Sequence, residues 1–303
     1  MYHDFKFPAV LSASHKAAWQ LDDVMPDGAQ LDFSRPMLPE RLVRAQGVDG
    51  LSEMERLTLN HIRGHEYLSI FGLAEEFILP FVLDHVRDSL DGDDHRIRAL
   101  LQFASEEAKH IHLFKRFHAA FVAGFETPCE VIGPPEAITA EVLRHQPLSV
   151  ALTILHIEWM TQRHYLESVR DDAGIEPLFA SLLKHHWMEE AQHAKLDTLI
   201  VDAMSKGMSS SQIDTAVDEY LEIGAFLDSG LKVQAELNLR AFEQASGRTL
   251  DPSLRQSFLE AQHQALRWTY LGSGMTHPKF CATLQSLSPK ARQRVESAAS
   301  VFC

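Results

Sequence analysis

The chain has 303 residues, 45% hydrophobic and 23% charged, with 28 Lys+Arg against 42 Asp+Glu and a net charge of -14. Those proportions are those of an ordinary soluble globular protein, and the acidic balance argues against nucleic acid or an anionic membrane as partner while admitting a cationic metal or an amine. Cys129, Cys281 and Cys303 are too few and too widely spaced for a disulfide framework or a thiolate zinc site, no apolar run reaches the roughly 18–20 residues of a membrane span, and MYHDFKFPAV lacks a signal-peptide pattern, so a cytoplasmic location is expected.

Residues 1–48 carry scattered prolines (Pro8, Pro26, Pro36, Pro39) and read as an irregular lead-in with one or two short helices. From about residue 50 the pattern is helical, and period-two runs of Val, Ile and Thr are scarce, so the fold class is all-α. Long helices are expected at about 50–89, 94–124, 148–171 and 174–206. Pro80 should kink or split the first. Asp91, Gly92, Asp93 and Asp94 make a turn and a helix N-cap. Thr127-Pro128, Gly133-Pro134-Pro135 and Asp171-Asp172-Ala173-Gly174 punctuate the rest. Ser209 to Ser211 cap a fifth helix to about Ser246, Asp251-Pro252 opens a sixth, and Ser288-Pro289 a short last one. Short connections make antiparallel neighbours, the geometry of a four-helix bundle of about 50–206 with additional helices over 209–303, the whole chain forming a single domain.

Seventeen histidines hint at metal chemistry. In S-E-E-A-K-H at 105–110 and M-E-E-A-Q-H at 188–193, Glu107 precedes His110, and Glu190 precedes His193, by three residues. On a helix each pair shares a face, so a carboxylate oxygen and an imidazole nitrogen reach one metal, or the Glu bridges two. A third copy, Glu260 and His263, makes the motif alone weak. Context separates them: Glu106 and Glu189 precede the first two pairs and can accept the free ring N–H of a histidine on the opposite helix, whereas Leu259 precedes Glu260, which reads as a solvated pair.

A dimetal bundle needs one more Glu from each remaining helix. Glu158 lies in the apolar run Leu152–Met160, 32 residues before Glu190. Counting the same 32 back from Glu107 lands on Glu75, whose helical face holds Leu68, Phe71, Ile78 and Val82; Glu76 is the fallback. Several carboxylates buried together need cations to neutralise them. His186, four residues before Glu190, shares its face; the spacing leaves open whether it is a third imidazole ligand or a packed residue. His61, His65, His112, His156, His164 and His185 read as packed or surface residues. Phe71, Phe103, Trp159, Met160 and Trp187 read mostly as core, with some available as pocket walls.

This arrangement resembles the ferritin-like diiron carboxylate proteins, and among them the p-aminobenzoate N-oxygenase family of diiron oxygenases. His186, Glu190 and His193 fit that family's H-x-x-x-E-x-x-H pattern, and Ile175-Glu176-Pro177-Leu178 looks like the run into its fourth helix. The resemblance covers about 50–245, including Ala235 to Asn238. It implies seven metal ligands: Glu75, Glu107, His110, Glu158, His186, Glu190 and His193. It implies a cofactor of two Fe ions, with Mn possible in place of one, and a homodimer. It also implies dioxygen activation to N-oxygenate an amine, carried by a small molecule or a carrier protein. Ligand spacing alone implies only dioxygen chemistry, so C–H hydroxylation or desaturation is the alternative, and non-catalytic iron storage or sensing the alternative of another class. No Gly-rich nucleotide loop follows a strand, so an external electron donor is expected.

Overall fold

The structure is a computed structural model and describes residues 2–87 and 92–303. It is 78% helical, with no strand among the described residues. The lead-in holds α1 (Phe7–Ala17), α2 (Leu21–Val24) and α3 (Glu40–Val43). The bundle is α4 (Glu53–Arg87), α5 (Asp94–Gly124), then, after the short α6 (Pro135–Leu143), α7 (Pro147–His164) and α8 (Pro177–Ser205). Around it stand α9 (Ser210–Ser246), α10 (Pro252–Arg267), α11 (Ser273–Met275), α12 (Pro278–Leu287) and α13 (Pro289–Ala299).

The bundle starts and stops where side chains satisfy free backbone groups. Ser52 and Glu55 close a reciprocal cap on α4, and Asp93 accepts the His95 N–H ahead of α5. Glu176 accepts the Phe179 N–H and Pro177 takes the first turn of α8, where a missing N–H costs nothing. Asp91 and residues 88–89, part of the expected first helix and turn, lie outside the described residues. Pro80 does not split the first helix, which runs through it to Arg87.

α4 pairs with α5, and α7 with α8; the two hairpins pack through α5 and α8. α1 lies across α5 and α8, and α9 covers α4 and α7. Three features depart from the sequence expectation. Gly133-Pro134-Pro135, expected as punctuation, leads straight into a helix the sequence reading does not place, α6, because Pro134 and Pro135 start a helix as readily as they end one. The third helix does continue past His164, but as a π-helical turn, Tyr165–Val169. The sixth helix breaks up: a second π turn, Trp268–Gly272, leads into α11 and α12. No helix among the described residues is long and apolar enough to cross a membrane.

Candidate metal centre

All seven residues singled out in the sequence point into the bundle interior. Glu75 comes from α4, Glu107 and His110 from α5, Glu158 from α7, and His186, Glu190 and His193 from α8. Each is at most 3% exposed. Glu75 rather than Glu76 is the inward acid: Glu75 is buried and Glu76 is exposed, as the helical face predicts. Glu260 is exposed, and His263 pairs with Asp228 far along the chain from the cluster.

The donor atoms form two overlapping groups, each with its atoms within 4.8 Å of one another. One joins Glu75, His110, His186 and Glu190; the other joins Glu107, His110, Glu190 and His193. Glu190 is common to both: its Oε1 lies 2.6 Å from His186 Nε2 and 3.1 Å from His110 Nδ1, and its Oε2 lies 2.9 Å from His193 Nδ1. Glu107 Oε1 is 2.9 Å from the same His193 nitrogen. Glu158 stands beside the second group, close enough to Glu190 and Glu107 for their charges to act on it.

The two acids that precede the motifs hold the imidazoles crosswise. Glu189 of α8 accepts from His110 Nε2 of α5 at 2.9 Å, and Glu106 of α5 accepts from His193 Nε2 of α8 at 2.9 Å. With Nε2–H committed to a carboxylate, each neutral ring turns its Nδ1 lone pair toward the cluster, the tautomer a metal ligand needs. Replacing Glu189 with Gln should weaken metal binding about 10–100-fold with the fold intact. Competition with a graded chelator measures this, and an unchanged affinity would show that Glu189 does not orient His110.

Charge in the cluster is badly balanced without cations. Burial drives Glu158 well above the usual carboxylate range, and Glu190 and Glu107 push it further. Burial acts on Glu190 in the same sense, yet His186 and His193 hold its carboxyl well below the usual range. His110 and His193 are raised well above an ordinary imidazole, because the surrounding glutamates outweigh the burial that would lower them. Several polar atoms have no hydrogen-bond partner at all: Glu75 Oε2, both oxygens of Glu107, His110 Nδ1 and Glu158 Oε2. Orphaned buried atoms of this kind cost about 1–3 kcal/mol each. Two divalent cations would satisfy them and would neutralise the four carboxylates while leaving three imidazoles neutral. The residues therefore fit a dimetal centre.

Sequence reasoning missed supports from α1, from the segment after it and from α5 itself, and one acid on α8. Ser14 of α1 donates to Glu106 Oε1 at 2.6 Å, and Gln102 donates to the same oxygen. Burial would raise the Glu106 carboxyl, but His193 and these donors carry it down to about 2. Trp19 stacks on His110 at 5.9 Å between ring centres, and the Lys109 ammonium lies over the Trp19 ring, 3.8 Å from its centre. Lys109 also pairs with Glu189. Asp197, on α8 seven residues after Glu190, is buried with both oxygens unpartnered, and burial raises it well above the usual carboxylate range despite His193. Its spacing was the available signal. Phe103 stacks on His193 at 4.0 Å and Phe71 meets His186 edge-on. Trp159 instead stacks on His277 and Trp187 on Tyr165. The remaining helix histidines pair elsewhere or face solvent: His61 with the Arg35 carbonyl, His65 with His118, His156 with Tyr220, His164 with Tyr67, and His185 with the Ser181 carbonyl, while His112 is exposed.

No curated protein matches the chain in sequence. Among solved structures it is similar to R2-like ligand-binding oxidases. One is a variant with an aerobically reconstituted Mn/Fe cofactor, at TM-score 0.49 and 13% identity over 87% of this chain and 93% of that one. A second such variant has TM-score 0.45 and 14% identity over 88% and 98%. The profile of the p-aminobenzoate N-oxygenase AurF matches residues 11–225. That span starts earlier than the sequence resemblance, taking in residues 11–17 of α1, with Ser14, and Trp19 just after it, and ends before Ala235–Asn238. It contains all seven clustered residues and both crosswise acids, and the chain belongs to the p-aminobenzoate N-oxygenase AurF family.

Proposed function

We propose that this protein is a non-haem diiron monooxygenase that N-oxygenates an amine to the hydroxylamine or further, with Glu75, Glu107, His110, Glu158, His186, Glu190 and His193 as its metal ligands. The observation that carries the reading is His186. It adds a third imbedded imidazole to the two Glu-x-x-His pairs and sits within reach of Glu75 and Glu190 at 3.4 and 2.6 Å. A neutral donor there adds electron density to one metal without adding negative charge. An oxygen-rich, imidazole-bearing set suits iron, or manganese in one position.

Two iron ions, when bound, supply the binding and activation of dioxygen. The chain's own residues do the rest. Glu106 and Glu189 fix two rings, and Lys109 offsets the charge on Glu189. Phe71 and Phe103 exclude water from the His186 and His193 faces. We further infer that electrons come from an external donor, that the protein is cytoplasmic, and that it acts as a homodimer.

The test is the reduced, iron-loaded protein given dioxygen and a panel of amines. The expected product carries one oxygen atom from labelled dioxygen on nitrogen, read by mass spectrometry. Oxygen on carbon, or loss of two hydrogens, would replace N-oxygenation with hydroxylation or desaturation. Iron far in excess of about two per chain, with no product, would favour storage.

A further inference from the structure

The two crosswise acids serve their histidines alike but differ in charge. S-E-E-A-K-H at 105–110 and M-E-E-A-Q-H at 188–193 align residue for residue, so Glu106 matches Glu189 and His110 matches His193. The motifs differ just before the histidine, where Lys109 stands in the first and Gln192 in the second. Glu189, fully buried, accepts from His110 through one oxygen and from the Lys109 ammonium through the other. Glu106 accepts from His193 through one oxygen and from Ser14 and Gln102 through the other, at 2.6 and 2.9 Å. Those last two donors are neutral, and among the described residues no Lys or Arg pairs with Glu106. Gln192 supplies no substitute, since its side chain accepts from Lys195 instead.

Lys109 is fixed in its place. Its ammonium pairs with Glu189, donates to the Trp19 carbonyl at 3.2 Å and lies 3.8 Å from the centre of the Trp19 ring. With 19% of the side chain exposed, its charge is screened less than that of a surface lysine. A carboxylate behind a ligand imidazole makes that imidazole a stronger donor, and a cation on the carboxylate takes part of the effect away. His110 therefore leans on a neutralised acid, and His193 on a negative one. The ligand groups tilt the same way: Glu158 adds a carboxylate beside Glu107 and Glu190, whereas His186 adds a neutral imidazole beside Glu75.

Taking the diiron reading as its basis, we propose that Lys109, acting through Glu189 and His110, makes the metal that His110 holds the first of the two to gain an electron. Less negative charge surrounds that ion, so adding an electron there costs less. The external donor gives up one electron, and the iron on His110 passes from ferric to ferrous. A second electron from the donor then reduces the iron on His193. In the half-reduced protein the ferrous ion sits on the His110 side and the ferric ion on the His193 side. Lys109 is a positioning residue for charge: it touches neither metal, and its effect reaches them through the carboxylate that orients a ligand.

The experiment is a mediated potentiometric titration of the iron-loaded protein, with iron counted on the same samples and the half-reduced state followed by electron paramagnetic resonance. Lys109→Gln should lower both midpoint potentials, the first more than the second, so that the gap between them narrows and the half-reduced signal loses amplitude. Lys109→Arg, which keeps the charge, should hold the gap close to that of the wild type. Gln102 is half-buried, one turn before Glu106 and already bonded to it. Gln102→Lys brings an ammonium to the uncompensated acid, and should raise the second potential more than the first and again narrow the gap. A gap that widens in either charge variant, or potentials that stay put in both while the pair of irons is retained, would overturn the proposal. If Lys109→Gln sheds its iron, Gln102→Lys decides by the same criterion. Wild-type protein that holds no pair of irons would sink the diiron reading itself.

Discussion

The Glu107→Ala variant is expected to fold and yet to lose the stabilisation that iron gives the wild type. Both oxygens of Glu107 are buried and unpartnered, so in the metal-free chain they contribute desolvation and repulsion rather than bonds. Removing them opens a small cavity and loses the contact with His193, but also relieves their repulsion of Glu158 and Asp197, and the metal-free melting temperature should move by only a few degrees in either direction. The loaded state is different. A ligand at a thousand times its dissociation constant adds about 4 kcal/mol to a wild-type site, on the order of 5–10 °C in a chain of this size. Glu107→Ala should lose most of that rise, whereas Glu260→Ala, which alters an exposed residue outside the cluster, should keep all of it. Thermal melts with and without Fe(II) under nitrogen decide it. An equal metal-induced rise in Glu107→Ala would remove Glu107 from the ligand set.

The second large effect is on pH. In the metal-free chain Glu158 and Asp197 have raised carboxyls, and His110 and His193 have raised imidazoles. A group raised in the folded state contributes stability that is complete below its unfolded value and lost as pH climbs through the folded one. These four should therefore make the metal-free chain less stable as pH rises above the ordinary carboxyl range, near 4, and on past the ordinary imidazole value of about 6.5. Glu190 runs the other way: its carboxyl is held low, so its contribution is present above the ordinary carboxyl value and fades as pH falls. Glu106, carried down to about 2, and His186, lowered by burial, act in the same sense as Glu190; all three contributions are complete above about 6.5, where the raised groups still titrate, so stability declines from there toward alkaline pH. Metal must displace the same protons, so iron affinity should strengthen with pH, with roughly two or more protons released on loading. Calorimetry in buffers of differing ionisation enthalpy counts them. No proton release at pH 7 would mean that the cluster is already ionised without metal.

How much of this was legible in the sequence follows from the range of each interaction. The site's ligands come from four helices, but each pair is local: three residues separate Glu107 from His110, and the helical period puts them on one face. The 32-residue repeat between hairpins reflects two equivalent α-helical pairs, so Glu75 could be chosen over Glu76 and Glu158 found in an apolar run. The crosswise acids were readable for the same reason, since a residue beside a ligand on one helix meets the opposite helix. What failed is non-local. Ser14 reaches Glu106 across 92 residues, and Trp19 reaches His110 from a lead-in that reads as irregular. Nothing in the local pattern of residues 1–48 says which surface they cover. The π turns at Tyr165 and Trp268 are likewise set by packing rather than propensity. Asp197 shares the face of Glu190 and His193 and was open to the same periodic argument; it has no His or Glu partner at motif spacing to draw the eye.

The expected arrangement is two metal ions among the seven clustered side chains. Crystals of the iron-loaded protein, measured for anomalous scattering at the iron edge, test it most directly. Two peaks per chain are expected, one among Glu75, His110, His186 and Glu190 and one among Glu107, Glu158, Glu190 and His193. A single peak, none, or iron at Glu260 and His263 with this cluster empty would contradict it.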